Sequence, residues 1–250
     1  MPILYVYDTT CAAAAGKVCN WTVPTGVTGV VFEIWGGGGG GAGGICNCDC
    51  CATTMGGAGG GYAMKTVSVT PGSAYVLCAG NAGVGEDAGP YGAPNGSAGA
   101  AGITGGTSYV TGAGVPANFC ATGGTGGIYS GNLQCYIICG CVGPEGGTGF
   151  NGDINQTGGP AVAGSSGTNA YAPYTMGGAA GGPGGGSGGF VGSSCQGSDA
   201  CYNFDMHGSV PGGGGSGQRL GYPNGGPGAC CACRTTASGR GAPGLIKVTW

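Results

Sequence analysis

Between Gly177 and Gly192 the chain reads GGAAGGPGGGSGGFVG, a stretch with almost no side chain to bury. An α-helix is disfavoured there, because each Gly costs about 1 kcal/mol relative to Ala. A strand is weakened by Gly as well. The regular option that remains is an extended left-handed helix with about three residues per turn and ~3.1 Å rise, which makes no hydrogen bonds within itself. Such segments must bond to one another, since buried N–H and C=O groups need partners. Only Gly lets backbones approach so closely.

A spacing of three supports this expectation elsewhere. Gly96, Gly99, Gly102 and Gly105 fall three apart, as do Gly140, Gly143, Gly146 and Gly149. Denser Gly runs at 36–44, 56–61, 123–127, 212–217 and 225–228 read as further legs of a bundle joined by turns. With Gly at 68 and Pro at 14 of 250 residues, the competing reading is low-complexity disorder. Disordered chains are usually highly charged, whereas only 6% of this chain is charged and it carries 16 Cys and 12 Tyr. Collagen is excluded by the broken Gly-X-Y period.

Strand patterns gather at the two ends. Ile3–Tyr7 and Val18–Pro24 are candidates, and Val27–Trp35 is the strongest. There Val30, Phe32 and Ile34 alternate with Val31, Glu33 and Trp35, leaving one face wholly apolar. Tyr62–Thr70 and Ala74–Ala79, divided by Pro71–Gly72, read as a β-hairpin. Ser108–Thr111 and Asn118–Thr122 are weaker candidates. Leu245–Trp250 restores a strand, with Ile246, Val248 and Trp250 on one face. The expected fold is mostly β and irregular. Both chain ends form a small antiparallel β unit, with an inserted bundle of glycine-rich polyproline-II-like helices. Residues 1–80, with a glycine-rich insertion at 36–61, form that unit and 244–250 complete it. Residues 81–243 form the bundle with its loops.

The segment Trp21-Thr-Val-Pro-x-Gly-Val-Thr, followed by an apolar strand ending at Trp35 and a Gly run, resembles the start of glycine-rich phage tail proteins. Gly61-Tyr62-Ala63, Val67-Ser-Val-Thr-Pro71-Gly72 and the ending Gly241-Ala-Pro-Gly244-Leu-Ile-Lys-Val-Thr-Trp250 extend the resemblance. The Gly-rich body is similar to the tail-fibre tip adhesins of T-even-like phages. The resemblance implies a layer of polyglycine II helices carrying variable loops that bind a host surface. The Cys content departs from that family.

The cysteines cluster where turns are expected: Cys46, Cys48, Cys50 and Cys51; Cys135, Cys139 and Cys141; Cys195 and Cys201; Cys230, Cys231 and Cys233. Cys11, Cys19, Cys78 and Cys120 fall in the strand-rich part. All are disulfide candidates, with a bound metal or free thiols as the other readings. Cys48-x-x-Cys51 and Cys230-x-x-Cys233 have half-site spacing for zinc, but lie much farther apart than the ~15–20 residues of a paired site. We therefore expect no metal. The first and last clusters, each one leg from the β unit, are expected to be linked at a common distal tip.

Other chemistry is sparse. His207 is the one His, and Asp205-Met-His-Gly-Ser209 carries triad residue types, but a triad is made by spatial geometry and not by sequence proximity. Nine scattered acidic residues give no paired-carboxylate pattern. A non-enzyme without cofactor is expected. Net charge −3 gives no basic footprint for nucleic acid, and no apolar run approaches a membrane span. The segment MPILYVYDTTCAAAAGK lacks a basic n-region and does not read as a secretory signal, whereas 16 Cys favour an oxidising milieu. A virion component released by lysis reconciles the two. Tyr with Gly, Ser and Asn is a recognition-loop composition, which makes Tyr171, Tyr174, Phe190, Tyr202, Phe204 and His207 candidates for receptor binding. The expected partners are other virion tail or fibre proteins and a host cell-surface protein or glycan. The other readings are a coat or appendage protein without a specific ligand, and an ice-binding protein.

Overall fold

The computed structural model describes residues 1–7, 19–43, 46–47, 50–51, 55–85, 100–128, 143–163, 175–191, 207–217, 220–221, 234–235 and 238–250. Among them are strands and irregular extended segments, and no helix. The first strands are β1 (Ile3–Tyr7), β2 (Cys19–Thr22), β3 (Gly29–Trp35), β4 (Cys46–Asn47), β5 (Cys50–Cys51), β6 (Tyr62–Ser68) and β7 (Ala74–Cys78). The middle of the chain adds β8 (Ser108–Thr111), β9 (Cys120–Ala121), β10 (Gly149–Phe150), β11 (Ile154–Gln156), β12 (Val162–Ala163), β13 (Thr175–Met176) and β14 (Phe190–Val191). The last are β15 (Leu220–Gly221), β16 (Arg234–Thr235) and β17 (Leu245–Thr249).

Two five-stranded antiparallel sheets dominate, in the orders β1-β17-β3-β6-β11 and β10-β9-β8-β7-β2. The C-terminal strand lies between β1 and β3, pairing Val248 with both Leu4 and Phe32. The period-two pattern explains the packing. Val30, Phe32 and Ile34 of β3, with Ile246 and Val248 of β17, turn inward onto Tyr75, Leu77, Val110 and Ala121 of the second sheet. Trp21 stands at the centre of an aromatic group, its ring 6.2 Å from Phe32, 6.0 Å from Tyr75 and 5.4 Å from Trp250. Burying one such large side chain stabilises the fold by about 1.5–3 kcal/mol.

Two sequence expectations are corrected here. Residues 62–70 and 74–79 do not form a hairpin. β6 pairs with β3 and β11, while β7 pairs with β2 and β8. The turn at Pro71–Gly72, where Gly72 takes φ +84°, carries the chain from one sheet to the other. An arch wins because Val67 and Val69 before the turn and Tyr75 and Leu77 after it all belong to the core between the sheets. Second, the sheets recruit β8, β9, β10 and β11 from the middle of the chain, so the β structure is not built from the two ends alone.

Beyond Trp35 the chain stays extended but leaves the ladder. Gly36, Gly39 and Ala42 donate to Gly61, Ala58 and Met55. Gly37, Gly40 and Gly43 donate to Gly106, Ile103 and Ala100, and Gly38 and Gly41 to Ala242 and Gly239. Each successive N–H therefore serves a different neighbour, and the same neighbour returns every third residue. The carbonyls serve three further segments: Gly37 and Gly40 accept from Gly124 and Gly127, Gly38 from Gly83, and Gly39 from Gly215. Six segments thus surround residues 36–43. A Cβ on Gly38 or Gly39 would strike the Gly213 or Thr125 carbonyl, so side chains are excluded at these positions.

Candidate functional site

Residues 175–191 fold back on themselves. Gly177 donates to Gly189 at 2.8 Å and Ala180 to Gly186 at 2.9 Å, and β13 pairs with β14 in the same register. The turn lies at Gly182–Gly184, whose first and last residues have φ +80° and +68°. That turn abuts the sheets, since a Cβ on Gly182 would enter the Tyr62 ring. The open end points away from them. A Cβ on Gly56 would meet the Met176 carbonyl, which puts β13 level with the far end of the 55–61 leg.

At this remote end three short strands form a separate antiparallel sheet, β12-β13-β14. Val162 is opposite Met176, and Met176 is opposite Phe190. Cross-strand partners share a face, so the three side chains make one row. Their exposures of 48%, 37% and 40% leave that row open to solvent. Residues 164–174 join β12 to β13, and residues 192–206 follow β14. The row therefore adjoins, along the chain, the ends of residues 164–174 and the start of residues 192–206.

Of the residues singled out in the sequence, Phe190 is in this row. His207 is not shown joining it: its Nδ1 accepts the Arg240 N–H at 3.0 Å, while Gly208 donates to the Arg240 carbonyl at 2.9 Å. Tyr171, Tyr174, Tyr202 and Phe204 lie outside the described residues. Val162 and Met176 were not foreseen. A valine or methionine beside a Gly-rich loop is a weak signal, and only the strand register unites them.

The cysteines divide similarly. Cys11, Cys48, Cys135, Cys139, Cys141, Cys195, Cys201, Cys230, Cys231 and Cys233 lie outside the described residues. Among the described residues, Cys19, Cys78 and Cys120 are not bridged to one another. Tyr109 of β8 is the register partner of both Cys78 and Cys120. One strand thus separates them by about 9.6 Å, beyond the ~6.8 Å limit of a disulfide. Cys19 faces Leu77, on the opposite side of the sheet from Cys78. Burial pushes the Cys120 thiol pKa up, which keeps it protonated.

A second polar group lies on the outer side of the first sheet. Glu33 accepts from Lys247 Nζ at 2.6 Å and from the Tyr62 hydroxyl at 3.2 Å. The hydrogen bond to Glu33 holds the Lys247 pKa above its ordinary value. Burial first, then the Glu33 charge, raises that of Tyr62. Tyr62 also packs against Trp35 with the rings tilted, centroids 4.9 Å apart, and Leu245 lies beside them. This group fastens β3, β6 and β17 where their legs leave the sheet.

No curated protein matches the chain. The model of one family, described as a glycine-rich domain, matches residues 12–250, and the chain belongs to that family.

Proposed function

We propose that the protein is a virion structural component, a glycine-rich tail-fibre or adhesin protein that binds the host cell surface without catalysing a reaction. In this reading the Gly segments are polyproline-II-like helices of the polyglycine kind, packed side by side. The observation that carries the reading is the bonding of residues 36–43. Their amides return to the same neighbour every third residue, and six segments surround them. That periodicity matches a helix with about three residues per turn. At ~3.1 Å per residue, eight such residues span roughly 25 Å. A stalk of this kind holds recognition loops away from its anchoring sheets, and backbone bonds in every direction make it rigid.

The binding surface in this reading is the Val162–Met176–Phe190 row together with the loops 164–174 and 192–206. An apolar row continued in sequence by segments rich in Tyr, Ser, Asn and Gly has the composition of a protein-binding paratope, with rigid rings for contact area and small polar groups for adaptable hydrogen bonds. The resemblance of both chain ends to phage tail proteins supplies the virion context.

Two measurements test the proposal. Antibody to the full chain should label virus particles at the ends of their fibres in electron micrographs. Purified full chain, added in excess, should compete with those particles for adsorption to host cells. Particles that carry no label would overturn the virion assignment. Label without competition would leave a coat or appendage protein and overturn the adhesin assignment.

A further inference from the structure

One mirror point, between Cys48 and Asp49, governs the chain from Gly29 to Ser68. In the sheet it sets Gly29 opposite Ser68 and Trp35 opposite Tyr62. Along the legs it sets Gly36 opposite Gly61, Gly39 opposite Ala58 and Ala42 opposite Met55. Beyond the legs, β4 and β5 resume a strand pair about the same point, with Cys46 opposite Cys51 and Asn47 opposite Cys50. All the described pairs of this segment therefore share one register, with no slip between them. A one-residue slip would move every inward side chain of β3 to the other face, so the buried Phe32 and Ile34 help hold the register that reaches the cysteines.

We propose that Cys46 and Cys51 form a disulfide that clasps the outer end of this segment. Two residues separate Asn47 from Cys50, and a two-residue hairpin loop is closed by a hydrogen-bonded pair. The next pair outward, Cys46 with Cys51, is then of the non-hydrogen-bonded kind, with Cα atoms about 4.5 Å apart. That separation falls within the ~4.4–6.8 Å of normal disulfides. The register also selects among the cysteines of the cluster. Cys50 faces Asn47, which has no sulfur. Cys50 and Cys51 are chain neighbours only ~3.8 Å apart, too close for a normal bridge. Cys46 and Cys51 are the cross-strand cysteine pair.

The oxidant is a small-molecule disulfide such as oxidised glutathione. One protein thiolate attacks a glutathione sulfur, forming a mixed disulfide and releasing one reduced glutathione. The second thiolate displaces the other glutathione as its thiol, closing the protein disulfide. The two protein thiols are oxidised by two electrons. The two protons they lose end on the two glutathione thiols.

Asp49 provides the test, because a protease that cuts on the N-terminal side of Asp opens the chain between Cys48 and Asp49. Full-length protein is incubated with oxidised glutathione, unfolded in acid, alkylated and cleaved. Fragments 8–48 and 49–86 should stay joined until a reductant is added, with tandem mass spectrometry locating the bond on Cys46 and Cys51. In a Cys48→Ser/Cys50→Ser variant the joined species should persist, and adding Cys46→Ser to that variant should abolish it. Separate fragments without reductant, or a bond located on other cysteines, would overturn the proposal. The wild-type digest decides the matter even where a variant does not fold.

Discussion

The Ala42 amide donates to the Met55 carbonyl at 3.1 Å, in the same register that sets Trp35 opposite Tyr62 within the sheet. The β3–β6 ladder therefore does not end where its strands end. A ladder bonds to neighbours on two sides only, and a strand of ordinary residues must fill its two faces with side chains. When the chain becomes Gly after Trp35 the faces empty, and other backbones move in. The pairing with 55–61 survives at every third residue, while the residues between serve 100–106 and 239–242.

Gly102→Val should be strongly destabilising. Its Cβ would meet the Gly40 carbonyl oxygen, which is backbone and is held by the Gly127 amide. The cost should exceed the ~0.5–3 kcal/mol of an ordinary point mutation. Gly29→Ala is the control. No atom lies within 4 Å of a Cβ at Gly29, and the change should stay within about 0.5 kcal/mol. Thermal melts of both variants decide this, and equal melting temperatures would contradict the packed leg.

Removing the β17 strand should leave no soluble fold, because β1 would lose its sheet and β3 a neighbour. A milder change gives a measurable magnitude. Ile246 is fully buried between the sheets, and Ile246→Ala should cost roughly 2–5 kcal/mol in urea unfolding. A loss below about 1 kcal/mol, the range of Ile→Val, would mean that the terminal strand is peripheral.

The alternation of β3 and β17 was legible because period two is written in side chains: Phe32 and Val248 had to share an interior. The legs were legible as segments, since nothing but Gly tolerates such contacts. Their partners were not. Gly37 donates to Gly106 and Gly38 to Ala242, yet neighbouring glycines carry no side-chain difference to announce it. The arch at Gly72 was misread as a hairpin because Pro-Gly marks a turn without saying whether the strands beside it pair. The Val162–Met176–Phe190 row was invisible for a related reason, each residue lying alone in its own Gly-rich surroundings.

Alkaline pH should weaken the fold. The Tyr62 pKa is raised by burial and by Glu33, that of Tyr75 by burial, and that of Lys247 by its hydrogen bond to Glu33. In each case the folded state holds its proton more tightly than the unfolded state. The stabilisation is complete below the unfolded values, near pH 10, and is lost as pH rises through the folded ones. Melting temperature should therefore fall above about pH 10, with the raised Cys120 thiol adding its own loss from about pH 9, and less steeply in Tyr62→Phe, which retains the Tyr75, Lys247 and Cys120 contributions. A slope unchanged by that substitution would contradict the assignment.

Met176→Ser should leave stability within about 0.5 kcal/mol of the parent, as an exposed side chain does. Under the adhesin proposal it should nevertheless abolish competition for host adsorption. Phe190→Ser should behave alike, since the two side chains adjoin in one row. Full competition by both variants would remove the row from the binding surface.

Ser108 offers the most direct test of how sheets and legs are joined. It is fully buried at the start of β8. Its Oγ donates to the Trp35 carbonyl at 2.6 Å and accepts the Gly80 amide at 2.8 Å. Trp35 is the last residue of β3, and Gly80 lies just past β7, in the other sheet. One hydroxyl thus satisfies a donor and an acceptor where a strand from each sheet gives way to extended Gly chain. Ser108→Ala removes that hydroxyl without adding bulk, leaving the Gly80 amide unpaired and the Trp35 carbonyl without this donor. An unsatisfied buried polar group costs about 1–3 kcal/mol, so the loss in urea unfolding should reach at least that range. Ser238→Ala, which removes the 2.9 Å bond to the Gly41 carbonyl far along the same leg, should cost a comparable amount. Their bonds fall on carbonyls six residues apart along one leg, roughly 19 Å, and the two changes should be additive within about 0.5 kcal/mol. If Ser108→Ala proved neutral while Ser238→Ala did not, the sheets and legs would be joined by backbone register alone.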